Sequence, residues 1–138
     1  MPDTYNDTKI TVRISSPLHE ITLAEADSVL LPATMGNILI LPKRAPLFLQ
    51  LKCGKVILKN NGEKKIFYIS SGLSEIRHNL CPICAWAIEE GKTTLAAARE
   101  HIQSLQQELT TVHTPLQKQQ IQRRLDLWQL IATEKNKI

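Results

Sequence analysis

Aromatic side chains are scarce in this chain: two each of Trp, Tyr and Phe, 4% of 138 residues. So little ring surface cannot supply the successive stacking platforms of a single-stranded nucleic-acid binder, nor line a large aromatic ligand pocket. Long apolar runs are missing too. Val29-Leu30-Leu31 and Ile38-Leu39-Ile40-Leu41 fall far short of the roughly 20 residues that span a bilayer, so membrane association is expected only through a partner. Three cysteines make an odd count, which argues against a disulfide framework and for a reducing compartment. The opening Met1-Pro2-Asp3-Thr4-Tyr5-Asn6-Asp7 has neither the basic nor the apolar segment of a secretory leader.

What remains is an ordinary globular composition, 43% hydrophobic and 22% charged, on a length that suits one domain or two small ones. The net charge of +4 is unevenly placed. Residues 1–90 carry ten Lys/Arg against nine Asp/Glu, and residues 91–138 carry seven against four. That excess is too thin for the dense basic stripe of a nucleic-acid binder, which must neutralise several phosphates together. It suits an acidic protein surface better.

Hydrophobic periodicity divides the chain near Gly91. Before it, Ile10, Val12 and Ile14 alternate, as do Leu47, Leu49 and Leu51, which is the pattern of half-buried strands. Val29-Leu30-Leu31 is expected to stop at Pro32 and Ile38 to Leu41 at Pro42. Gly54 opens Lys55-Val56-Ile57-Leu58, and Asn61-Gly62 is a hairpin signal leading into Lys64-Lys65-Ile66-Phe67-Tyr68-Ile69. Short strands at this spacing favour an all-β sandwich or barrel.

After Gly91 the period lengthens. Leu95, Ala98, Ile102, Leu105, Leu109 and Val112 trace the seam of an amphipathic helix, with Thr93 or Thr94 to cap it. Thr114-Pro115 with Gln117 then supplies an N-cap, a proline at the first helical position and a capping-box partner for a second helix. Its apolar residues Leu116, Ile121, Leu125, Leu127, Trp128, Leu130 and Ile131 form a broad stripe. A short connector folds the pair into an antiparallel hairpin. Two helices alone bury little apolar area, so the hairpin needs the β unit or another protein beside it. The reading is an α+β chain, with a β unit over residues 1–90 and a hairpin over residues 91–138.

Motifs for chemistry are incomplete. Gly91-Lys92-Thr93-Thr94 resembles the end of a phosphate-binding loop, but Trp86 stands where its first glycine belongs, and Glu89 and Glu90 would repel phosphate. Cys81-Pro82-Ile83-Cys84 has metal-ligand spacing without a second pair. Cys53 and the histidines His19, His78, His101 and His113 are scattered. On a strand, positions three apart point to opposite faces, so the two sulfurs would not share one ion. Ser70-Ser71-Gly72 lacks the nucleophile elbow, and Glu25, Asp27 and Glu75 have no base beside them. No independent enzyme, cofactor or metal is expected.

Four segments carry a family resemblance. Glu25-Ala26-Asp27-Ser28-Val29-Leu30-Leu31-Pro32, Met35-Gly36-Asn37-Ile38-Leu39-Ile40-Leu41-Pro42, Ala45-Pro46-Leu47 and Phe67-Tyr68-Ile69-Ser70-Ser71-Gly72 with Glu75-Ile76 resemble, in order, the epsilon subunit of F-type ATP synthases. The resemblance implies a ten-stranded β-sandwich at the foot of the central stalk, against the gamma subunit and the ring of c subunits. It also implies a hairpin reaching toward the catalytic alpha/beta head, where Lys118, Arg123 and Arg124 would meet an acidic helical segment and block hydrolysis. The complex would lie at the cytoplasmic face of the bacterial inner membrane, with this subunit peripheral.

Three departures stand out. The acids and second glycine usual before the proline are replaced in Met35-Gly36-Asn37-Ile38-Leu39-Ile40. Lys43 and Arg44 precede Ala45-Pro46-Leu47 where the family carries a histidine; by the resemblance, Lys43, Arg44, Ala45 and Pro46 would be the ring- or gamma-contact candidates. An ATP motif known on the first hairpin helix survives only as Leu95 and Arg99, its Asp replaced by Ala96 and its final Ala by Glu100. The first two departures raise the alternative of a paralogue in a sodium-translocating or other ATPase. A binding module for an acidic ligand or nucleic acid, using residues 118–137, is the alternative of another class.

Overall fold

A computed structural model describes residues 8–17 and 19–136; the polar opening at residues 1–7 and the end of the 118–137 basic segment, at Lys137, lie outside the described residues. Among the described residues, ten strands precede two helices. β1 (Ile10–Ser16) and β2 (His19–Ala26) form a hairpin, followed by β3 (Ser28–Ala33), β4 (Gly36–Ile40) and β5 (Leu47–Leu51). Next come β6 (Gly54–Asn60), β7 (Glu63–Ile69), β8 (Gly72–Ile76), β9 (Leu80–Ala85) and β10 (Ile88–Glu90). The strands join into one curled sheet in the order β10-β7-β6-β3-β5-β8-β9-β1-β2, with β4 paired to β3 alone. Every pairing is antiparallel except β1 with β9.

The alternating residues behave as their period dictates. Ile10, Val12 and Ile14 are fully buried, in one core with Val29, Leu31, Ile40, Val56, Phe67, Ile69, Ile76 and Ile83. Asn61 and Gly62 take positive φ, 53° and 83°, the conformation that a two-residue hairpin matched to the strand twist requires. Pro32 does not end β3, contrary to the sequence expectation, because the strand runs on to Ala33. Pairing with β6 ends at Leu30 and pairing with β5 engages Ala33, so Pro32 falls in the gap where a missing N–H costs no ladder bond. Its carbonyl still accepts the Lys52 N–H at 2.9 Å.

α1 (Leu95–Thr111) starts where the Thr94 hydroxyl accepts the Ala97 N–H at 3.2 Å. α2 (Pro115–Asn136) starts likewise, with Thr114 accepting from Gln117 N–H at 3.3 Å. Each cap satisfies an amide that the first turn leaves without an intrahelical partner. The helices bury Ala98, Leu105, Leu125, Leu127, Trp128 and Ile131 in a second core. Leu116 is not part of the buried stripe; it is exposed in the first turn of α2. The hairpin does lean on the sheet: Tyr68 of β7 is buried in the same second core, with Cys53, Ile66 and Ala87 packed against it.

Candidate functional site

The ring-loop candidates occupy the β4–β5 connection. Lys43, Arg44, Ala45 and Pro46 are all exposed or half-exposed, and neither Lys43 nor Arg44 is ion-paired among the described residues. Lys43 follows Pro42 in a turn and takes φ 65°, a conformation that usually selects glycine. Its N–H donates to the Asn79 Oδ1 at 2.6 Å. Asn79 lies at the tip of the β8–β9 turn with φ 58°, following His78 at φ 51°. Sequence reasoning missed Asn79; the only signal was an Asn at a strand break.

The sheet presents an apolar outer face. Ile21 and Leu23 of β2, Phe48 of β5, Leu73 of β8 and Leu80 of β9 are each 40–66% exposed. The registers Leu23↔Arg13, Arg13↔Pro82, Gln50↔Leu73 and Leu73↔Cys84 run this face continuously across five strands. Five large apolar side chains thus share one solvent-facing sheet surface, interspersed with the exposed polar residues Arg13, Gln50 and Glu75.

The head-contact candidates on α2 diverge. At about 100° per residue, Lys118, Arg123 and Arg124 fan out around the helix. Lys118 and Arg124 are exposed, whereas Arg123 is half-buried. Arg123 turns toward the sheet and lies over the Trp86 ring, 4.1 Å from guanidinium carbon to centroid. A cleft of about 340 Å³ opens beside this pair, lined by Pro17, Trp86, Gln120, Ile121, Arg123 and Arg124. Lys55 pairs with Glu134 at 3.4 Å, and Lys135 donates to the Gly91 carbonyl. These polar links tie α2 to the sheet beside the second core. Of the ATP-motif remnant, Leu95 is half-buried and Arg99 exposed in the first turns of α1.

Several of the residues weighed for chemistry have structural partners. Cys81 is buried, and Cys84 is exposed on the other face of β9. Burial pushes the Cys81 thiol up to about 11, with the Ser74 hydroxyl beside it pulling the other way. The Ser70 hydroxyl accepts the Ala87 N–H at 2.9 Å. Asp27 binds Lys9 at 2.6 Å, and Glu75 pairs with Arg77. Gly91 donates its N–H to the Ile66 carbonyl at 2.8 Å, extending the β10 edge rather than opening a phosphate cradle. Among the described residues, no cluster of three or more His, Cys, Asp or Glu is placed to hold a metal, and no helix is long and apolar enough to cross a membrane.

The ten-stranded sheet with an antiparallel helix pair packed against it defines an α+β architecture. The same architecture occurs in a chain of the Euglena gracilis mitochondrial ATP synthase, with TM-score 0.65 and 12% identity over 97% of this chain and 88% of that one. Residues 9–91 match the ATP synthase delta/epsilon chain β-sandwich domain. The ATP synthase epsilon chain of Alkalilimnicola ehrlichii is 35% identical over 64% of this chain and 65% of its own length, just under two thirds. The chloroplastic epsilon chain of Emiliania huxleyi is 31% identical over 74% of this chain and 82% of that one. The chain belongs to the ATP synthase delta/epsilon family.

Proposed function

We propose that this chain is a non-catalytic central-stalk subunit of an F-type ATP synthase, coupling ion flow through the membrane ring, protons by default, to ATP synthesis or hydrolysis in the head. The observation that carries this reading is the set of exposed large apolar residues on one face of β2, β5, β8 and β9, on a member of this family. A subunit that turns with the rotor must be clamped to it, and burying Leu23, Phe48, Leu73 and their neighbours against the gamma subunit supplies that clamp. The loop at Lys43, Arg44, Ala45 and Pro46 then faces the polar loops of the c-ring. Residues 1–90 act as the foot and residues 91–138 as the regulatory unit. The complex sits on the cytoplasmic side of the bacterial inner membrane, and this subunit reaches the membrane only through it.

Regulation follows from the second core. The hairpin is held to the sheet by few groups, so an extended arrangement lies at low free-energy cost. Extension would carry Lys118, Arg123 and Arg124 toward the alpha/beta head, where an acidic surface would hold them and oppose rotation in the hydrolysis direction. A second reading, a paralogue coupled to sodium, draws on the two unpaired cations of the 43–46 loop; the ion-binding residues of the cognate ring would decide it. The main reading requires that cognate gamma and this chain co-elute at micromolar concentration, and failure to do so removes it. Deleting residues 91–138 tests the inhibitory part: the ATPase rate of the assembled complex should rise.

A further inference from the structure

Asn79 occupies an unusual place. It stands at the second position of a two-residue hairpin turn, closed by the Arg77 and Leu80 backbone bonds at 3.1 and 2.9 Å. Tips of such turns are normally exposed, and glycine is preferred there because φ is positive. Yet Asn79 is 7% exposed. The 41–46 loop approaches it, and the Asn79 side-chain carbonyl takes the Lys43 N–H at 2.6 Å. Its own backbone carbonyl takes the Thr11 N–H at 2.8 Å, which anchors the turn to the first residues of β1. Lys43 is itself a non-glycine residue at φ 65°. Two residues that glycine would suit are thus joined by one short hydrogen bond, made by a side-chain acceptor that glycine would lack.

We propose that Asn79 is the positioning residue of the Lys43–Arg44 loop, fixing the direction in which those two cations and Ala45-Pro46 meet the ring. The inference rests on the reading that this loop faces the c-ring. Without the brace, Lys43 relaxes from its left-handed conformation, and every residue up to β5 is re-aimed. The contact surface is then lost through geometry while the cations themselves remain.

Two variants separate the brace from general stability. Asn79→Gly keeps the positive φ and removes the acceptor; Asn79→Asp keeps both. In the purified full-length chain, Asn79→Gly should speed hydrogen exchange of the Lys43 amide about tenfold. Exchange in β1 and β9, and the melting temperature, should hardly move, and Asn79→Asp should restore slow exchange. In the assembled synthase, a cysteine at position 44 (Arg44→Cys) should cross-link to cysteines in the ring loops, with the yield falling several-fold on adding Asn79→Gly and recovering with Asn79→Asp. An unchanged Lys43 exchange rate, or an unchanged yield in a background that does cross-link, overturns the positioning role alone. No cross-link in the Asn79 background overturns the ring-facing reading, and the proposal with it.

Discussion

The guanidinium of Arg123 lies over the indole of Trp86, 4.1 Å from the ring centroid, so a residue of the second hairpin helix clasps the end of the sheet. Cation–π contacts at such half-exposed sites contribute about 0.5–1 kcal/mol, little against global unfolding but enough to bias a docking equilibrium several-fold. Arg123→Met keeps much of the stem and removes the charge. It should raise hydrogen exchange of α2 amides about three- to fivefold while leaving Phe67 and Ile69 in the sheet core unaffected. Equal acceleration in both places would mean that hairpin and sheet open as one unit.

Trp128 is the centre of the second core, 4% exposed, with the His101 imidazole stacked on it at 4.1 Å and 9°. Trp128→Ala should cost about 3–5 kcal/mol where it packs. Because that core is separate from the one around Phe67 and Ile69, the loss should undock the hairpin and spare the sheet. Limited proteolysis should then cut within residues 91–138 and leave a resistant sheet fragment. A uniformly digested chain would show the two cores to be one cooperative unit.

Sequence pattern revealed the elements whose large apolar residues point inward. Ile10, Val12 and Ile14 alternate into the core, and Leu105, Leu125 and Ile131 keep the helical period, so both halves could be read. β2 escaped notice for the opposite reason: its large residues Ile21 and Leu23 face solvent while Ala24 and Ala26 pack against the core, an inversion of the usual inward pattern. β8 hid in the same way, with Leu73 outward and Ser74 buried. The three α2 cations were legible as charge, but the turning of Arg123 onto Trp86 depends on a contact 37 residues apart in sequence. The Asn79 brace spans 36 residues and left no periodic trace.

Gly72 of β8 sits directly against the β9 backbone. A Cβ built there would lie 2.1 Å from the Cys84 carbonyl oxygen and 2.9 Å from the Ala85 Cα, backbone atoms that cannot swing aside. Gly72→Ala should therefore destabilise the sheet by about 3 kcal/mol or more, read as a lowered denaturant midpoint. A substitution at Lys64, exposed on β7, provides the neutral comparison. An unchanged midpoint in the Gly72→Ala variant would mean that β8 and β9 can part without loss.

Acid should weaken the closure of the β1–β2 hairpin against the β6–β7 turn. Asp27 is held below the ordinary carboxylate value of 3.8, first by its hydrogen bond from Lys9 and then by the Asn61 N–H, with desolvation opposing. Lys9 also donates to Asn60 and Asn61. A depressed folded value means that this stabilisation is present above pH 3.8 and disappears as pH falls through the lower folded value. Asp27→Asn should flatten the acid limb of the stability curve and lower the plateau at neutral pH. If wild type and Asp27→Asn lose stability in parallel below about pH 4, the cluster makes no pH-dependent contribution.

Cys53 gives the hairpin a chemical clock. Burial against the second core, with the Asp126 carboxylate adding to it, pushes its thiol up to about 11 from 9.0, so the reactive thiolate is suppressed while the hairpin is docked. Stability from keeping this thiol protonated is complete below pH 9.0 and declines as pH rises toward about 11. At about pH 8, just below the ordinary thiol value, a maleimide should label exposed Cys84 first, Cys53 at a rate set by hairpin opening, and fully buried Cys81 only on unfolding. Arg123→Met should accelerate the Cys53 phase by the same factor of about three to five as α2 exchange, because both report one opening equilibrium. If Cys53 labels as fast as Cys84 in the unaltered chain, the docked hairpin does not protect it, and the second core is not the barrier that holds the hairpin down.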